Sequence, residues 1–192
     1  MAKAAQHKQR LIITAANLFR KKGYAATGLN EILAGSGAPK GSLYHYFPEG
    51  KDALGAAAVT AAGTVVAKTL AGLRAESDDA GQFINRYCEL LAGWMEGSGF
   101  QSGCPIATTV LETCPNSAAI QQASKAVFES WITVIAQVFI DDGLDHAQAE
   151  ASAELTIATI EGALILCRVQ CSADPIRRIA KQIVPMVKLN VN

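Results

Sequence analysis

Gly23-Tyr24-Ala25-Ala26-Thr27, then Gly35-Ser36-Gly37-Ala38-Pro39-Lys40-Gly41-Ser42-Leu43-Tyr44-His45-Tyr46-Phe47-Pro48: these two runs decide the fold. Glycines at 23, 35 and 37 and prolines at 39 and 48 cut the stretch into pieces too short to be stable as isolated helices. Such pieces persist only when packed on something else. Thr27 is a candidate cap for a short helix with Glu31 in its first turn and Leu29, Ile32 and Leu33 on its buried side. Pro39 suits the first position of a third helix, where a fixed φ helps and no N–H is needed. Within 39–46 only Leu43 is committed to the core, with Phe47 one turn beyond, so Lys40, Ser42, Tyr44, His45 and Tyr46 are left outward.

Working outward, the preceding residues 4–22 form the support. Leu11, Ile12, Ala15, Leu18 and Phe19 make one apolar stripe, and Lys21 and Lys22 suit the negative end of the helix dipole before Gly23. Downstream the apolar period lengthens. Helices are expected over 51–73, 80–97, 105–113, 117–141, 145–171 and 174–190, with breaks at Ser77-Asp78-Asp79, Gly97 to Gly103, Cys114-Pro115-Asn116, Asp141-Asp142-Gly143 and Asp174-Pro175. The expected class is all-α, about nine helices. A three-helix domain covers 1–50 and a larger helical domain 51–192.

A short helix, a glycine-containing turn and a second short helix on an amphipathic support is a helix-turn-helix. Such a helix enters a major groove only if one face is free and polar. Charge agrees. The net charge is +0, but residues 1–51 hold eight Lys and Arg against two acids, leaving nine basic and fifteen acidic residues for the rest. A basic head on an acidic body is the footprint of a chain that offers one end to a polyanion. Lys40 and the N–H groups near Gly41 favour phosphate or guanine edges. Tyr44 and Tyr46 offer hydroxyls, and His45 a donor. Lys51 would open the next helix, a poor place for a cation unless an anion such as a phosphate comes near.

These runs resemble the DNA-binding domain of the TetR family of transcriptional repressors. The resemblance implies a homodimer whose N-terminal helices bind a palindromic double-stranded DNA operator, and a C-terminal helical domain for ligand binding and dimerisation. Residues matching the family's usual DNA contacts are Thr27, Lys40, Gly41, Ser42, Tyr44, His45, Tyr46 and Lys51. The chain departs from the family at Ala38, commonly Val, and at Pro39, commonly Ser or Thr. Its segment Phe47-Pro48-Glu49-Gly50-Lys51 is one residue longer than the commonest spacing. That spacing, with Gly103-Cys104-Pro105-Ile106-Ala107 and Glu161-Gly162-Ala163-Leu164, is similar to the drug- and flavonoid-responsive (LmrA/YxaF-like) branch, whose members control efflux or oxygenase genes.

For the body, Cys88, Trp94, Met95, Leu111, Phe128, Trp131 and Ile135, with Phe139, are expected around the interior, where a mostly apolar or aromatic small-molecule inducer would bind. Core packing is the better explanation for any one of them taken singly; as a group they gain weight as a ligand lining. Glu112, Gln121, Asn85 or Gln137 would supply an orienting polar group. Ala151, Leu155, Ala158 and Ile165, and Ile176, Ile179, Ile183 and Val187, form two stripes suited to a four-helix interface with a second copy or to an internal core.

Other classes are weakly supported. His7, His45 and His146 are scattered, and no metal spacing, nucleophile elbow or phosphate loop is present, so neither an enzyme, a cofactor nor a metal is expected. The odd set of five cysteines indicates no disulfide framework. Cys104, near an expected helix start, leaves open a redox- or electrophile-sensing repressor. A DNA-binding protein without a ligand is the third alternative. Met1–Arg10 is polar, with no apolar leader, and the run Ala53–Ala67 is short for a bilayer, so no membrane association and a cytoplasmic location are expected.

Overall fold

Leu11, Ile12, Ala15 and Phe19 are buried along one side of α1 (Ala2–Lys22), and it is this stripe that organises the N-terminal part of the molecule. The computed structural model describes residues 2–188, with side chains over 5–186. The described residues form nine helices and no strand. After α1 come α2 (Leu29–Ser36), α3 (Lys40–Tyr46), α4 (Lys51–Ala75), α5 (Ala80–Gly97), α6 (Ala107–Thr113), α7 (Ala118–Asp141), α8 (His146–Gln170) and α9 (Asp174–Lys188). The expected all-α class and the helix order agree with this; the expected end of the last helix at 190 lies outside the described residues.

Helix α2 buries Ile32, while Leu29 and Leu33 are only half-buried. It ends on Gly37, whose φ of 60° lets its N–H reach the Leu33 carbonyl. Ser36 supports the same turn, donating to the Leu33 carbonyl and accepting from the Ala38 N–H. Two details of the sequence reading are corrected. Gly28, not Thr27, is the N-cap of α2, with no side-chain cap bond. Pro39 precedes the first turn of α3 as its N-cap, because its ψ of 140° is extended. Leu43 and Phe47 are buried as expected. Leu43→Ala is expected to cost about 2–5 kcal/mol, the range for a fully enclosed leucine, and to lower the midpoint of thermal unfolding.

The chain divides into two compact units. One comprises Met1–Val65 with Cys104–Val127, the other Val66–Gly103 with Phe128–Asn192. In the first unit α1 carries α2, α3 and α6. Residues on α7 also close on α4: a Cβ on Gly55 would lie 2.9 Å from Ile120 and one on Gly63 2.4 Å from Val127. Helices α4 and α7 are each long and apolar enough, by length and composition alone, to cross a membrane, a property shared by core helices of soluble proteins and not evident from the shorter run Ala53–Ala67.

In the second unit α9 packs on α5 and α8. Asp79 caps α5 by accepting from the Gln82 N–H, and Asp145 caps α8 by accepting from Gln148. Arg177 of α9 forks to Glu89 and Glu96 of α5 at 3.1 and 2.9 Å. Ile176 and Ile183 are buried and Ile179 half-buried. The α9 stripe is thus an internal core, not a free face; the side chain of Val187 lies outside the described residues. The α8 stripe behaves differently. Ala151, Leu155, Ala158, Gly162, Ile165, Leu166 and Val169 are all exposed, Val169 by 76%.

Candidate nucleic-acid interface

Helix α3 is held from one side only. Of its seven residues Leu43 alone is buried; Lys40, Gly41, Tyr44 and His45 are exposed, and Ser42 and Tyr46 half-buried. Tyr44 is 56% exposed. The His45 and Tyr46 rings meet edge to face at 4.9 Å, which limits how either can turn. These six residues, drawn from one sequence run, share a helix whose free side is polar and basic at its start.

Two of the expected DNA contacts lie outside α3 and have partners within the chain. Thr27 is 0% exposed, and its hydroxyl donates to the Gly23 carbonyl at 2.8 Å, closing the turn before α2. Lys51 is half-buried; its amine donates to the Tyr24 carbonyl at 2.6 Å and lies 4.3 Å over the Tyr24 ring. Burial lowers its pKa, while Glu112 and Asp52 pull it back up. Internal electron-rich partners therefore offset the cation at this helix start.

Around Lys51 lies a cluster that the sequence did not suggest. The Tyr24 hydroxyl donates to Asp52 at 2.5 Å, and the Ala25 N–H donates to the Glu112 carboxylate at 2.5 Å. Burial, reinforced by the bond to Asp52, raises the Tyr24 pKa. Bonds from Tyr24 and then Ser117 hold Asp52 below the usual carboxylate range. A depressed folded pKa adds stability that is present above the unfolded value of about 4 and lost as pH falls through the folded one. Asp52→Ala is thus expected to cost less than about 1 kcal/mol near neutral pH, given its exposure. The gap to wild type should close in acid, as unfolding midpoints at pH 7 and pH 3 would reveal.

The candidate ligand residues are only partly gathered. Cys88, Met95, Trp131 and Ile135 are buried, and Phe128, half-buried, meets Trp131 edge to face at 5.4 Å. Trp94 is 40% and Leu111 79% exposed in the single chain. On α5 the buried positions Cys88, Leu91, Ala92 and Met95 follow the helical period and leave Trp94 outside it. On α6 the buried side is Thr109 and Thr113, whose hydroxyls donate to the carbonyls four residues back, which turns Leu111 outward. Glu112 is engaged at Ala25, Gln121 and Asn85 are exposed, and Gln137 bonds Asp141. Sequence reasoning passed over Ser102 and Ser124, two buried hydroxyls without a hydrogen-bond partner. Cys104 is buried, and its carbonyl serves the start of α6 by accepting from Thr108. Burial raises the Cys88 thiol to about 12, so it is inert.

Residues 11–58 match the family model for bacterial regulatory proteins of the tetR family, and residues 80–182 match that for the C-terminal domain of LmrA/YxaF-like transcriptional regulators. The chain is 33% identical over 188 residues to the HTH-type transcriptional regulator YxaF of Bacillus subtilis (strain 168), covering 98% of each chain. The chain belongs to the TetR family. It is 34% identical to the HTH-type transcriptional regulator Rv0196 of Mycobacterium tuberculosis (strain ATCC 25618 / H37Rv), over 92% of this chain and 91% of the relative. It is 27% identical to the HTH-type transcriptional regulator LmrA of Bacillus subtilis (strain 168), over 94% and 96%. A TetR regulatory protein from Rhodobacter sphaeroides superposes with a TM-score of 0.81 at 27% identity, covering 91% of this chain and 95% of that one. A TetR transcriptional regulator from Chloroflexus aurantiacus J-10-FL gives 0.78 at 28%, covering 98% and 97%. The TetR and LmrA/YxaF-like resemblance expected from the sequence is thereby established, and the protein is a transcriptional regulator that binds DNA, not an enzyme.

Proposed function

We propose that this TetR-family regulator is a cytoplasmic, ligand-responsive repressor that binds a palindromic operator as a homodimer and is released by a small, mostly apolar inducer. The observation that carries the reading is the one-sided attachment of α3, fixed by Leu43 while Lys40, Gly41, Tyr44 and His45 stay exposed. In this reading residues 1–50 contact DNA, through Lys40, Gly41, Ser42, Tyr44, His45 and Tyr46. Residues 51–192 bind ligand and a second copy.

Two copies are needed because a seven-residue helix reads too few base pairs alone. The exposed apolar stripe of α8 supports pairing, since a monomer rarely leaves such a row in water. Buried Cys88, Met95, Trp131 and Ile135 with half-buried Phe128 support an apolar or aromatic ligand. Helix α4 begins shortly after α3 and continues to Ala75, the proposed path for a shift. Such coupling is typically worth ~1–3 kcal/mol, enough to release DNA. The burial of Cys104 disfavours the electrophile-sensing alternative.

The test uses an operator fragment selected from genomic DNA and fluorescence anisotropy. Flavonoid-like and other small aromatic compounds are expected to release the fragment in a saturable way, while chloride acts only through ionic strength. Specific binding that none of these compounds disturbs would favour a DNA-binding protein without a ligand.

A further inference from the structure

Two consecutive residues between α1 and α2, Tyr24 and Ala25, are each held by a side chain from outside the helix-turn-helix. The Tyr24 carbonyl and hydroxyl are taken by Lys51 and Asp52 of α4. Ala25 is taken by Glu112 of α6, which lies 87 residues away in sequence and beyond the 11–58 match, and which also sits beside Gly23. Its Oε2 accepts the Ala25 N–H at 2.5 Å. Its Oε1 lies only 2.2 Å from where a Cβ on Gly23 would stand, and Gly23 has a φ of +86°. The turn and the carboxylate therefore fit each other with no room for a side chain between them.

This contact is at the surface, where a single bond contributes little to global stability. Its position is what matters. Thr27, buried and bonded to the Gly23 carbonyl, passes the geometry of this turn directly to α2, and Gly37 joins α2 to α3. We propose that Glu112 is a positioning residue for operator recognition, latching the 23–25 turn to α6 so that α2 and α3 are presented at the angle DNA requires. The proposal rests on the reading of α3 as the recognition helix. Glu112 touches no base or phosphate in this role and, with both oxygens set against 23–25, orients no inducer.

Simple electrostatics predicts the opposite outcome, which makes the test sharp. Removing an acid near a DNA-binding surface weakens repulsion, so Glu112→Ala and Glu112→Gln would both tighten binding. The latch predicts that Glu112→Ala weakens operator binding about five-fold or more, the lower end of ordinary coupling. Glu112→Gln keeps a carbonyl oxygen for the Ala25 N–H and should restore most of the affinity. The slope of log affinity against log salt should match wild type in both, because no phosphate contact is lost.

Hydrogen exchange at the Ala25 amide provides an arm that needs no DNA: Glu112→Ala should accelerate it while buried amides of α5 and α8 keep their rates. Wild-type affinity in Glu112→Ala, tighter binding in both variants, or an unchanged Ala25 exchange rate would overturn the proposal. An affinity loss accompanied by faster exchange throughout would overturn it too, as a folding defect. If wild type itself selected no DNA fragment, the operator reading would fail, and the Ala25 exchange rate would still report on the latch.

Discussion

A Lys40→Ala, Tyr44→Ala double variant is expected to fold normally and to lose operator affinity by two orders of magnitude or more. Both side chains are exposed on α3, and exposed substitutions usually change stability by less than about 0.5 kcal/mol. A good contact to a base edge is worth about 1–3 kcal/mol, so two lost contacts per half-site multiply through a dimer. Lys40 stands at the helix start, and in the proposed reading it neutralises a phosphate or donates to guanine. If it meets a phosphate, its loss should lower the salt slope by about one per site. Unchanged affinity and slope would show that α3 is not the recognition helix.

The second large effect concerns pairing. Ile165→Glu with Val169→Glu places two carboxylates on the exposed stripe of α8, where they are harmless to a monomer. In a symmetric pair the stripe meets itself, and unpaired buried charge costs several kcal/mol. The variant should sediment as a folded monomer and bind operator with the weak affinity of one half-site. A dimer of wild-type stability would place the interface elsewhere. Melting temperature must be compared at fixed protein concentration, since dimerisation contributes to it.

These predictions use features that differ in how far sequence alone revealed them. The order of helices was legible because glycine, proline and capping acids mark their ends, as at Gly37, Asp79 and Asp145. The free face of α3 was legible for the same reason: in so short a helix, assigning Leu43 and Phe47 inward fixes the rest. Periodicity says that a face is buried, but not against what. That is why Ile176 and Ile183, suited to a dimer by pattern, belong to an internal core on α5 and α8.

Helices apolar on more than one side gave less. Trp94 and Leu111 looked internal by type but fall outside the buried arc of α5 and α6. Thr27 had the chemistry of a cap, and only the fold shows its hydroxyl turned back to Gly23. Lys51 and Glu112 were beyond reach for a different reason. Their partners at 24 and 25 lie 27 and 87 residues away, and nothing local marks such pairs. Gly23 carried a faint sign, since its +86° φ fixed a glycine there, but not the carboxylate that occupies the space beside it.

The central claim is that two copies of α3 read a two-fold symmetric DNA site. Selection of genomic fragments by the purified wild-type protein, followed by footprinting of the enriched sequence, tests it most directly. An inverted repeat is expected, with protected major grooves centred about 34 Å apart or at a multiple of that distance. Enrichment of no common sequence, with binding that simply fades as salt rises, would contradict it.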